Sequence, residues 1–195
     1  MKKLTICCDF DDTMNQLLPA WIDWLNNKYN LNVQLDEVDT WYIDKIFPTL
    51  TEDQIYEPLN TPDFWLHVEA KPDAEFYIKK MIEDGHDFYV STASYYRNLW
   101  YKFDNCLFRL FPFIDHKQVI TMYNKQLLDC DVIIDDGLHN IKGKYLGILF
   151  DMPHNRSFDD TMSTKIERVT TWKQVYELVH KIEEQVSTNC SLIFS

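Results

Sequence analysis

Lys3-Leu4-Thr5-Ile6-Cys7-Cys8-Asp9-Phe10-Asp11-Asp12-Thr13 is a short β-prone run that stops abruptly in a cluster of carboxylates. The pattern is that of a buried strand delivering polar residues at its carboxyl end. Asp9 and Asp11 lie two residues apart, so in an extended segment both side chains point to one side. Two adjacent anions need a cation. Taken alone, the same cluster serves equally well as a turn and helix cap, because Asp and Thr are favoured in both.

Further strand candidates follow the same plan. Asp87 to Thr92 ends in the hydroxyls of Ser91 and Thr92, and Val132-Ile133-Ile134 runs into Asp135-Asp136. Lys117–Met122 and Lys144–Phe150 are two more. Helical periodicity separates them: Leu17 to Tyr29, a helix from Asp73 to about Glu83 closed by Gly85, an aromatic stretch over 95–110, and Trp172 to Glu184. Strands alternating with helices predict a parallel sheet with helices on both faces and right-handed crossovers, with ligands at the strands' carboxyl ends. The polar clusters after the strands therefore converge. Residues 15–70 are too long for a simple crossover. They are crowded with Trp41, Tyr42, Phe47, Phe64 and Trp65 and punctuated by Pro48, Pro58 and Pro62, which predicts short helices inserted as a cap over the strand ends.

Charge narrows the function. Nineteen Lys and Arg against 31 Asp and Glu give the 195-residue chain a net charge of −12, the wrong sign for a phosphate-backbone binder. An apolar fraction of 46% supports a packed core, and no window approaches the roughly 18 apolar residues of a membrane span. The apolar run after Met1-Lys2-Lys3 is cut by Asp9 too early for an export signal, and five cysteines without a CxxC pair suit reduced thiols in a cytoplasm. No GxGxxG or GxxxxGK[ST] is present.

Carboxylates gathered from two strand ends are the oxygen-rich surroundings that Mg²⁺ prefers. Ser91 and Thr92 could donate to a phosphate at a helix start, or simply cap that helix. Lys125, ten residues before Asp135, is a solvated surface lysine unless the clusters meet.

Asp9-Phe10-Asp11-Asp12-Thr13, Ser91, Lys125 and Asp135-Asp136 together resemble, in chain order, the four motifs of the haloacid dehalogenase (HAD) superfamily of phosphohydrolases. Pro62 to Ala74, PDFWLHVEAKPDA, and the ten-residue step from Lys125 to Asp135 are similar to the 5′(3′)-deoxyribonucleotidases within it. Two departures are visible: that family often has Gly then Val where this chain has Asp12 and Thr13, and some members have an arginine where Tyr123 stands.

The resemblance, which spans roughly residues 4–150, implies an α/β, HAD-like Rossmannoid three-layer fold. Residues 1–14 and 71–195 form its catalytic core, and a small helical cap, 15–70, is inserted after the first strand. It implies a Mg²⁺-dependent phosphomonoesterase in the cytoplasm, acting on a nucleotide monophosphate as a small-molecule partner, with no nucleic acid polymer and no membrane. Asp9 is the implied nucleophile and Asp11 the acid/base. Asp9, the main-chain carbonyl of Asp11 and Asp136 hold the metal with Asp135 in support. Ser91 and Lys125 hold the phosphoryl oxygens, with Thr92 as a further contact. Trp41 and Phe64, from the ring group Trp41, Tyr42, Phe64 and Trp65, are expected to form a stacking wall for a nucleobase; equally, such rings fill a cap's own core. Another small phosphomonoester, such as a sugar phosphate, fits the same chemistry. A phospho-aspartate receiver module also gathers Asp, Ser/Thr and Lys at strand ends, but its phosphorylated Asp ends a middle strand and no cap-sized insertion follows its first. Base and sugar preference, 5′ against 3′ cleavage, and assembly as a homodimer are left open.

Overall fold

The computed structural model describes residues 3–158 and 165–193, the side chains of 187–193 excepted. Six strands form one sheet: β1 (Thr5–Cys8), β2 (Asp87–Thr92), β3 (Val119–Thr121), β4 (Val132–Asp135), β5 (Leu146–Phe150) and β6 (Ile166–Val169). Their order is β3-β2-β1-β4-β5-β6, and every pairing is parallel. In β4 all four residues are buried, which requires cover on both faces of the sheet. Ile133 packs with Ile141, Tyr145 and Leu149 on one face, while Val132 and Ile134 join Ile148, Phe150 and Trp172 in the main core on the other. The strand order reverses direction at β1 and β4, so a crevice opens beyond their carboxyl ends.

The helices are α1 (Leu17–Tyr29), α2 (Ile43–Ile46), α3 (Glu52–Tyr56), α4 (Pro62–His67), α5 (Ala74–Glu83), α6 (Leu99–Lys102), α7 (Phe108–Leu110) and α8 (Trp172–Ile193). Helix α1 and strand β2 have the bounds expected from the sequence. The aromatic stretch is less regular than expected: it becomes helical only at Leu99, and a π-helical turn, Phe103–Leu107, separates α6 from α7. Strand β6 was not expected, and α8 runs past Glu184.

The chain leaves the sheet and returns to it along one seam. Asn15 and Ala70 form an antiparallel bridge, Gln16 N–H donates to the Glu69 carbonyl at 2.9 Å, and Lys71 N–H donates to the Met14 carbonyl at 2.8 Å. Helices α1 to α4 lie between these ends. Thr51 and Gln54 form a capping box that starts α3, Pro62 occupies the first turn of α4, and Trp21 Nε1 donates to the Ile55 carbonyl at 2.6 Å, tying α1 to α3. From the far end of the chain, Trp172 Nε1 donates to the Thr13 carbonyl at 3.1 Å, so α8 braces the turn that follows β1. Cys7, Cys8, Cys106 and Cys130 are free thiols; the side chain of Cys190 lies outside the described residues.

Candidate active site

The ladder between β1 and β4 continues one residue past β1, where Asp9 N–H donates to the Ile134 carbonyl at 2.8 Å. This sets the Asp9 carboxylate beside the end of β4. Lys125 lies between the two strand ends: its Nζ is 2.6 Å from Asp9 Oδ1 and 2.7 Å from Asp135 Oδ2, with all three side chains buried. Asp135 spends its other oxygen accepting from Gly137 N–H at 2.7 Å and Asn140 Nδ2 at 3.0 Å. Asp135 is thereby a strut for Lys125. Asp136 faces His154, with Oδ2 3.0 Å from Nε2, and its Oδ1 accepts from Thr13 Oγ1 at 3.4 Å.

Asp12 explains a departure noted in the sequence. Its φ of 55° is left-handed, a conformation glycine adopts freely and Asp tolerates. In exchange its Oδ1 accepts from Leu18 N–H at 2.8 Å and caps α1.

The floor is overcharged. Burial pushes the Asp9 carboxyl well above the ordinary carboxylate range, and Asp135, Asp136 and Asp11 push the same way against the pull of Lys125. Burial raises Asp135 as well, against Lys125. Asp12 is pushed up to about 7 by burial, reinforced by Asp136. For His154, burial works against the proton, but Asp136 outweighs it and raises the imidazole. Oxygens of Asp9, Asp135 and Asp136 come within 4.8 Å of one another. Hard carboxylate donors around excess negative charge fit a hard divalent cation.

Above this floor lies a cavity of about 810 Å³, lined at its base by Asp9, Asp11, Asp12, Lys125 and Asp136. Trp41, Trp65, Tyr95, Tyr123 and His139 are among the residues of its walls. Trp41 is 50% exposed and sits edge-on to both His139 and His154. The structure thus brings Asp9, Asp11, Lys125, Asp135, Asp136 and Trp41 to one place.

Two expectations, for Phe64 and Thr92, need correction. Phe64 does not line the cavity: it is buried edge-on against Trp65, and Trp65 meets the cavity instead. Thr92 is fully buried with its hydroxyl taken by Lys102 at 2.7 Å, because the helical turn after β2 folds that ammonium beneath it. Ser91, one residue past the Cys8–Val90 pair of the β1–β2 ladder, is fully buried, and its Oγ has no hydrogen-bond partner. Tyr42, from the same ring group, stands exposed under Lys45. Lys102 and His154 were not singled out from the sequence, where a lysine in an aromatic helix and a histidine in a loop carry no local signal.

An all-parallel sheet in this order, with an aspartate after its first strand held by lysine to a second pair, defines the haloacid dehalogenase-like class of fold. Solved structures of that class share the fold: a HAD-family hydrolase from Deinococcus radiodurans R1, crystallised with phosphate and sodium, has a TM-score of 0.62 at 13% identity, covering 93% of this chain and 96% of that one. A magnesium-bound HAD hydrolase from Bacillus subtilis has a TM-score of 0.57 at 12% identity, covering 91% and 99%.

Within this class, residues 3–185 match the family described as 5′ nucleotidase, deoxy (Pyrimidine), cytosolic type C protein, and the chain belongs to that family of phosphomonoester hydrolases. A 5′(3′)-deoxyribonucleotidase from Bacillus subtilis (strain 168) is 28% identical over 176 residues, covering 90% of this chain and 97% of that protein. One from Clostridium acetobutylicum is 28% identical over 187 residues, covering 94% and 99%. No helix among the described residues is long and apolar enough to cross a membrane.

Proposed function

We propose that this chain hydrolyses deoxyribonucleoside monophosphates to nucleoside and inorganic phosphate through an aspartyl-phosphate intermediate on Asp9. The observation that carries the reading is Lys125, buried and bound to both Asp9 and Asp135 at the base of an aromatic-walled cavity. Its charge offsets the anions that a phosphate dianion must otherwise approach.

An Asp9 oxygen attacks phosphorus as the ester P–O bond breaks, and Asp11 delivers a proton to the leaving alcohol. Asp11 then takes a proton from a water whose oxygen attacks phosphorus, which frees the Asp9 carboxylate and releases phosphate. Ser91, which follows Val90, the partner of Cys8 in the β1–β2 ladder, and whose hydroxyl has no partner, donates to a phosphoryl oxygen. Asp9, Asp136 and the Asp11 carbonyl would hold a Mg²⁺ ion, which when bound would supply charge neutralisation at the phosphoryl group. Residues 15–70 act as the cap on a core of 1–14 and 71–195, and Trp41, half-exposed at the cavity, stacks the base. Four free thiols support a reducing, cytoplasmic setting.

The test is substrate profiling with Mg²⁺ and with EDTA. Deoxyribonucleoside monophosphates turn over faster than glycerol phosphate or sugar phosphates, and release stops in EDTA and in Asp9→Asn. A generic phosphomonoester cleaved as fast as any nucleotide overturns the substrate; activity surviving in Asp9→Asn overturns the mechanism.

A further inference from the structure

Lys102 closes α6 immediately before the π-helical turn, a kind of helix irregularity common at functional sites. Its side chain is 1% exposed. An ammonium that deep is costly unless every proton is used, and each is: it donates to Asp11 Oδ2, to Thr92 Oγ1 at 2.7 Å and to the Ala93 carbonyl at 3.2 Å. The ammonium lies 5.7 Å from the centre of the Phe10 ring and 5.9 Å from that of Trp65. On the other side, Asp11 Oδ1 accepts from Asn15 Nδ2 at 3.2 Å. Both oxygens of a carboxylate that meets the cavity are therefore held by fixed donors.

The two buried lysines differ in kind. Lys125 lines the cavity, whereas Lys102 does not and has no proton left for a phosphoryl oxygen. Lys102 reaches the chemistry only through Asp11. We infer that Lys102 is the positioning residue for proton transfer: it aims the Asp11 carboxyl at the leaving-group oxygen and stabilises the carboxylate left when that proton departs. Its bonds to Thr92 and Ala93 lock the same carboxyl to the end of β2, beside Ser91, so that proton donor and phosphate-binding hydroxyl share one frame. This inference rests on the acid/base role proposed for Asp11.

Leaving groups give the test, because an alkoxide must be protonated to depart and p-nitrophenolate need not be. In Lys102→Met, kcat/KM, which reports the steps up to departure of the leaving group and not the shared hydrolysis of the aspartyl phosphate, falls roughly 10- to 100-fold on a deoxyribonucleoside monophosphate and about tenfold less on p-nitrophenyl phosphate. Asp11→Asn has the same leaving-group pattern, and adding Lys102→Met to it costs less than about twofold more, because the two act as a unit. Equal losses on the two substrates, or additive losses in the double variant, overturn the inference. Lys102→Arg keeps the buried charge and serves if Lys102→Met does not fold. Its bulkier head displaces Asp11, so the nucleotide-to-aryl ratio drops at least about threefold, and an unchanged ratio overturns the inference. Failure of the underlying reading looks different. Asp11→Asn losing both substrates equally removes the acid role, and a wild type indifferent to nucleotides removes the substrate, after which a simple alkyl phosphate replaces it in the same ratio.

Discussion

Trp41 stands edge-on to His154, with ring centroids 4.9 Å apart and planes at 90°, and His154 in turn is paired with Asp136 at 3.0 Å. One ring of the 15–70 segment is thus mechanically joined to the acidic floor, which couples the wall that would meet a base to the carboxylates that would meet phosphate.

Removing that ring should alter selectivity rather than chemistry. Trp41→Ala is expected to lower kcat/KM for deoxyribonucleoside monophosphates about tenfold, in line with roughly 1–3 kcal/mol for one base stacked on one aromatic ring. Hydrolysis of p-nitrophenyl phosphate changes much less. Phe64→Ala should do the opposite: a buried aromatic lost from the core costs about 3–5 kcal/mol, seen in denaturant unfolding, while the ratio between the two substrates is kept. A ratio shifted by Phe64→Ala and not by Trp41→Ala would reverse the assignment.

This contrast also marks the limit of what the sequence disclosed. Leu17–Tyr29 and Asp87–Thr92 were legible because an unbroken apolar rhythm ran to a clear end, and the carboxylate pairs were legible because they followed fully apolar strands. Ile166–Val169 was not, because Ile-Glu-Arg-Val is a four-residue edge strand whose two apolar ends are separated by adjacent charges, so it has no period-two alternation. Phe64 and Trp65 are neighbours on a six-residue helix, and which one meets the cavity depends on how α4 is rotated by its packing. Lys102 finds Asp11 across 91 positions of chain, a relation no local pattern encodes.

Lys125 should hold the fold together as well as the phosphate. In Lys125→Met the buried carboxylates of Asp9 and Asp135 face each other without their shared cation, and breaking a buried pair from one side costs about 3–5 kcal/mol. Part of that loss should return when Mg²⁺ is added, because a ligand of the native state stabilises it by mass action. Thermal melting in EDTA and in Mg²⁺ measures both. A variant that melts with wild type in EDTA would mean that the ammonium contributes nothing to stability.

Asp9→Asn should separate stability from function. Burial holds the native Asp9 carboxyl well above the unfolded value, with the neighbouring carboxylates adding to the shift, so at neutral pH its charge is a burden on the folded state. The amide removes the charge and can still accept from Lys125. The variant is expected to lose turnover altogether and to melt higher than wild type in EDTA at pH 7. That advantage shrinks in acid, where the wild-type carboxyl takes up its proton in the folded protein first. A variant that melts lower in EDTA would contradict the view of an overcharged floor.

Far from this site, His86 should make stability depend on pH. It is buried, its Nδ1 accepts from Leu4 N–H at 3.3 Å, and its Nε2 has no partner. Burial lowers its pKa, Glu183 and Asp84 oppose that shift, and His180 adds to it. A histidine depressed in the native state takes up its proton more readily when unfolded. Its contribution is therefore complete above the unfolded value, about 6.5, and is lost as pH falls from there through the lower value of the folded state. His86→Asn keeps an acceptor for Leu4 and cannot titrate. Between pH 7 and pH 5 the wild-type melting temperature should fall more steeply than that of the variant, and parallel slopes would show that the proton enters elsewhere.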